Sequence, residues 1–256
     1  MGEIIKSVKK IKEVMNEILT DTAHGVSSII SDDSILPAEV DNFDMNSIIT
    51  HVQEDYSDDV DIEPYEKEMN EILASSKTQR EKVTNLAIFL ACSFPKLPYE
   101  LANRSGHDGS SLLGLSWVRN HTLDCSGFVN WCFENSGLSI PEGYGITTSY
   151  EKLVGPANKE SIVSDTILET TKPGDFAYIN NAQRNRDHIG IVIDVKKDTK
   201  ELVIAHESGS GNGMNITTIS TVTGKITSDD VGSSGENRVG EDLYFEHILH
   251  MKYEGE

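Results

Sequence analysis

The chain has 256 residues, 42 of them acidic and 22 basic, for a formal net charge of -20 at neutral pH. That length holds a sizeable core, but the charge excludes surfaces built for nucleic acid or anionic membranes, which need clustered Lys and Arg. The best apolar run, "LAIFLAC" from Leu86 to Cys92, is far too short to span a membrane, and three cysteines cannot form a disulfide framework.

Residues 1–30 read as an amphipathic helical segment. Ile4, Val8, Ile11, Met15 and Ile18 step by three and four, with Lys6, Lys9, Lys10 and Lys12 largely off the apolar face. Charges scattered through this stretch do not match a secretory leader, so the sequence as given is expected to be cytoplasmic, or secreted after loss of a leader or anchor. The apolar face needs a burial partner: the rest of the chain, a second copy, or another protein. Residues 31–64 follow as an acidic linker with eleven Asp and Glu and no Lys or Arg, broken by one short helix over Met45 to Val52. No glycine stands at the sixth position of any calcium-loop start there, and no metal is expected.

From residue 65 the pattern becomes that of a folded domain running to 256. "YEKEMNEILASSKTQREKVTNLAIFLACSF" predicts helix, interrupted near Ala74 to Ser76 and ended by Pro95 and Pro98. In "LDCSGFVNWCFENSG", Cys125, Phe128, Val129, Cys132 and Ser136 mark one helix face, and Gly137 is its stop. After a long connection come three strand-like runs, "GDFAYIN", "HIGIVIDV" and "ELVIAHES", and a last strand in "LYFEHILHMKY". Helices first and an antiparallel sheet afterwards give an α+β domain.

Cys125 stands where that helix opens. There the helix dipole favours a thiolate, while the plainer alternative is a small core residue. A thiol nucleophile needs a histidine base oriented by a third polar group. His188 opens one strand and His206 ends the next. If those strands pair through a hairpin at Lys196 to Lys200, both imidazoles sit at one edge of the sheet, within reach of the cysteine helix. The same three residues are also plausible zinc ligands. The "KPGD" turn at Lys172 to Asp175 and the glycines 209, 211 and 213 read as turns, and His24, His51, His107, His121, His247 and His250 carry no assigned role. His247 and His250, three apart in a strand, face opposite sides.

"DCSGFVNWCFENSG", "KPGDFAYI", "DHIGIVIDV" and "LVIAHESGSG", in that order, resemble the successive motifs of the NlpC/P60 family of papain-like cell-wall cysteine peptidases, over about Tyr99 to Ile219. The resemblance implies a papain-like fold, Cys125 as nucleophile, His188 as general base and His206 as orienting residue. It also implies substrate contacts from Tyr99, Asp124 and Ser126. The implied partner is the peptidoglycan stem peptide, cut between D-glutamate and the diamino acid, with no cofactor and a secreted or cell-wall location. An amidase acting on another substrate inside a cell and a binding module that has lost turnover stand as alternatives. The family's Tyr-x-Trp-Gly-Gly is replaced here by "YELAN", which predicts a remodelled cleft wall.

Overall fold

The computed structural model describes residues 60–101, 112–119, 122–140, 145–181, 186–209, 213–230, 239 and 245–255. The expected N-terminal helix, the short helix near Met45 and most of the acidic linker therefore lie outside the described residues. Of that linker's last residues, Val60 and Ile62 are buried in the main core, and Glu63 begins the first described helix.

Helix α1 (Glu63–Ser75) and helix α2 (Gln79–Ser93) form the hairpin expected from the break near Ala74 to Ser76. Thr78 explains the restart. Its hydroxyl accepts from the Glu81 N–H at 3.1 Å while the Glu81 carboxylate accepts from the Thr78 N–H at 3.2 Å, which satisfies two donors that the helix start would leave open. Val83, Leu86, Ala87, Phe89, Leu90 and Ala91 are buried on every side of α2, so this helix is central instead of amphipathic. Helix α3 (Cys125–Asn135) packs beside it, with Trp131 stacked on Phe89.

The chain continues through helix α4 (Thr147–Val154), strand β1 (Lys159–Ser161) and the short helix α5 (Ile167–Thr170). Then come β2 (Phe176–Asn181), β3 (Arg186–Lys196), β4 (Glu201–Ser208), β5 (Gly213–Ser220), β6 (Ile226–Asp230) and β7 (His247–Leu249). All pair antiparallel in one sheet of order β1-β7-β2-β3-β4-β5-β6. The result is the expected α+β arrangement, with α1 to α4 ahead of the main strands and packed on one face, and the short α5 on the other. Period-two alternation along β3 divides the core. Ile189, Ile191 and Ile193 face the helices, whereas Val192 joins Ala177, Leu202, Ile204, Ile219, Phe245 and Ile248 on the opposite face.

The last strand is shorter than its sequence suggests and is inserted between β1 and β2. His250 lies just beyond it, and the reason is the "KPGD" turn. Asp175 accepts from the Lys172 N–H at 3.0 Å, the Met251 N–H at 3.0 Å and Arg80 at 2.9 Å, while Tyr253 donates to the Gly174 carbonyl at 2.6 Å. These bonds draw the chain out of the ladder. His250 bridges Asp175 and Glu160 at 3.1 and 2.9 Å. Its imidazole is held above the usual value, first by the hydrogen bond to Asp175 and against the effect of burial. Gly174, at φ +90, adopts a backbone conformation that only glycine takes easily.

Candidate active site

Asp124 caps α3. Its carboxylate accepts from the Gly127 N–H at 2.7 Å and from the Ser126 hydroxyl at 2.8 Å, which fixes the helix start and places Cys125 as its first residue. The sulfur does not face solvent, since Cys125 is only 5% exposed. Two donors meet it. The Thr147 hydroxyl lies 3.4 Å away, and the backbone N–H of Ile189 bonds to it.

That second contact locates the sulfur on the sheet. The β3–β4 ladder begins at Ile191↔Ala205, and ahead of it the peptide group joining His188 to Ile189 turns its N–H to Cys125. Sulfur and His188 are thus neighbours through one peptide. His188 Nε2 lies 2.9 Å from His206 Nδ1, and His206 Nε2 lies 2.8 Å from the Thr217 hydroxyl. Phe245 holds both rings: it stacks on His188 at 5.2 Å between centroids and meets His206 edge-on at 5.3 Å. Two imidazole nitrogens 2.9 Å apart share a proton between them and do not converge on a common metal ion.

The close approach of the two histidines requires Gly190. A Cβ there would meet the Ala205 carbonyl oxygen at 2.8 Å, Ile204 Cγ2 at 2.8 Å and His206 Cβ at 2.9 Å. Thr147 is held against the sulfur from the other side by α3 itself. Asn130 donates to the Gly145 carbonyl at 3.0 Å and accepts from the Tyr150 hydroxyl, and the Ser149 hydroxyl accepts from the Gly145 N–H at 3.1 Å.

Electrostatically the site departs from the helix-dipole expectation. Burial pushes the Cys125 thiol up to about 11. The bonds from Thr147 and Ile189 pull it down, and the Asp124 and Asp187 carboxylates push it further up. At neutral pH the resting thiol is therefore protonated, and a nucleophile forms only as a base removes the proton.

Tyr99 reaches this site although its motif lacks the Trp and paired Gly. It bridges to Leu123, just ahead of the cap, and Glu100 N–H donates to the Leu123 carbonyl at 3.0 Å. Its phenol is pushed well up, first by burial and then by Cys125, Asp124, Asp187 and Glu207. A Cβ at Gly209 would meet the Tyr99 ring at 2.8 Å, so this glycine gives the ring its place against the end of β4. Tyr99, Asp124, Cys125 and Ser126 are thereby brought together. Further along the chain, the Gly114 carbonyl accepts from the indole N–H groups of Trp117 and Trp131, both at 2.9 Å.

Three members of the site went unseen in the sequence. Thr147 lies in the long connection, Phe245 precedes a short strand, and Thr217 sits in "GMNITTIS", whose β-branched residues were the one available signal for β5.

Comparison with curated proteins and with solved structures returns no match. The model of the NlpC/P60 family matches residues 98–231, just over half of the chain and the whole of the Cys125, His188 and His206 constellation. The chain therefore belongs to the NlpC/P60 family, cysteine peptidases and amidases that act on peptidoglycan.

Proposed function

We propose that this protein is a cysteine peptidase that hydrolyses an amide bond within the stem peptides of peptidoglycan, between D-glutamate and the diamino acid, with Cys125, His188 and His206 as its catalytic group. The observation that carries the reading is the His188 Nε2 to His206 Nδ1 contact at 2.9 Å, inside the stretch that matches the family model and that also holds Cys125 at the start of α3.

As the substrate carbonyl arrives, His188 takes the thiol proton and the sulfur attacks the carbon. The backbone N–H of Cys125, in the first helical turn where donors lack intrahelical partners, receives the developing oxyanion. His188 then returns the proton to the leaving amine, and water, activated by the same imidazole, cleaves the thioester. Because His188 engages His206 through Nε2, the nitrogen available to the sulfur is Nδ1. Tyr99, Asp124 and Ser126 line the substrate side, with Asp124 also capping the helix. A peptidoglycan substrate places the enzyme where cell wall is exposed.

Digestion of purified peptidoglycan, followed by mass spectrometry of the soluble fragments, tests the bond assignment. New amine termini on the diamino acid support it. Fragments ending at a cross-link or at the sugar junction would replace the proposed bond with another amide.

A further inference from the structure

We propose that Thr217 is a positioning residue for this reaction, whose hydroxyl accepts a hydrogen bond from His206 and so keeps the His188–His206 pair in the one proton arrangement that lets His188 act as a base. The proposal rests on the assignment of His188 as the group that takes the Cys125 proton.

Thr217 is 1% exposed and stands on β5 beside His206 on β4, its hydroxyl 2.8 Å from His206 Nε2. A neutral imidazole carries one N–H and one bare nitrogen, so only two arrangements satisfy both short contacts. In the first, His188 Nε2–H donates to His206 Nδ1, and His206 Nε2–H donates to the Thr217 oxygen. In the second, every donor is reversed: Thr217 donates to His206, His206 Nδ1–H donates to His188, and His188 holds its proton on Nδ1. The second arrangement offers the thiol a donor where it needs an acceptor.

The charged state decides between them. Once His188 has taken the thiol proton, both of its nitrogens carry hydrogen. Nε2–H must then donate to His206 Nδ1, and His206 must carry its own proton on Nε2. That proton lies in a buried place where an unanswered donor is costly, and the Thr217 oxygen answers it. Phe245, fully buried, presses on both rings, so neither imidazole can exchange its nitrogens by flipping without displacing that ring. A hydroxyl is suited to this place because it can accept while its own proton turns elsewhere. Valine, of the same shape, cannot.

The test uses the full chain with Thr217→Val and Thr217→Ser, measuring peptidoglycan hydrolysis and the imidazole nitrogen shifts at a pH where both histidines are neutral. The expected result is a kcat about tenfold lower in Thr217→Val with KM unchanged, and Thr217→Ser within about twofold of the unaltered protein. The nitrogen shifts of the unaltered protein should place the His206 proton on Nε2. A wild-type kcat in Thr217→Val, equal impairment in Thr217→Ser, or a His206 proton on Nδ1 would overturn the proposal. If Thr217→Val does not fold, the serine variant and the shifts still decide. Failure of the underlying assignment shows differently: His188→Ala would then keep its hydrolytic activity.

Discussion

Gly190→Ala couples the packing of the sheet to the chemistry in a single methyl group. The added Cβ would lie 2.8 Å from the Ala205 carbonyl oxygen and 2.9 Å from His206 Cβ, where ordinary contact begins at 3.4 Å. The Ala205 oxygen is backbone in the β4 ladder, and β3 is held on its other edge by β2, so relief requires the two strands to part by about 0.6 Å, the shortfall from ordinary contact. Overpacking of this kind costs about 1–3 kcal/mol, which in a domain of this size lowers Tm by about 2–12 °C. The same movement stretches the 2.9 Å His188–His206 contact to about 3.5 Å, the edge of hydrogen bonding. Turnover should then fall by about tenfold at a temperature where the variant is fully folded. Thermal unfolding and peptidoglycan hydrolysis measured on one preparation check both halves. An unchanged Tm with wild-type turnover would refute the claim that β3–β4 spacing at Gly190 sets the histidine pair.

Two further outcomes follow from the core and its brace. His250, raised above its usual pKa by Asp175, contributes stability that is complete below about pH 6.5 and fades as pH climbs through the raised value. The Tm gap between the protein and His250→Gln should accordingly narrow as pH rises above about 6.5 and through the raised value, and a constant gap would contradict the ion-pair account. A chain starting at Tyr65 loses the buried Val60 and Ile62, each worth about 1.5–3 kcal/mol. It should melt several degrees below one starting at Val60, and equal melting curves would show that these side chains add nothing.

The sequence discloses most clearly what is periodic or punctuated. The break in the first helical stretch, the stop at Gly137 and the alternation in "HIGIVIDV" all follow from local sterics and burial, and the structure has each of them. Strand β5 is less legible, because half of "GMNITTIS" is polar by residue type, yet β4 and β6 flank it on both edges. The length of β7 was illegible for another reason. It is set by Asp175, some seventy residues earlier, which captures Met251 and His250 once the chain has folded.

The site divides in the same way. Cys125, His188 and His206 could be brought together on paper because a helix start, a strand start and a strand end are local features that a hairpin then juxtaposes. Thr147, Thr217 and Phe245 could not, since their neighbourhood exists only in the folded sheet. The protonation of Cys125 is set against the helix-dipole expectation by burial, which its place at a helix start does not disclose.

The most direct test of the account is hydrolysis of peptidoglycan by the protein and by Cys125→Ala at equal concentration, with unfolding curves to show that both are folded. The sulfur is the only atom in the account that forms a bond to substrate. The variant should therefore unfold at about the same temperature and release no fragments above the uncatalysed background. A folded Cys125→Ala protein that cleaves peptidoglycan at the wild-type rate would contradict the account at its centre.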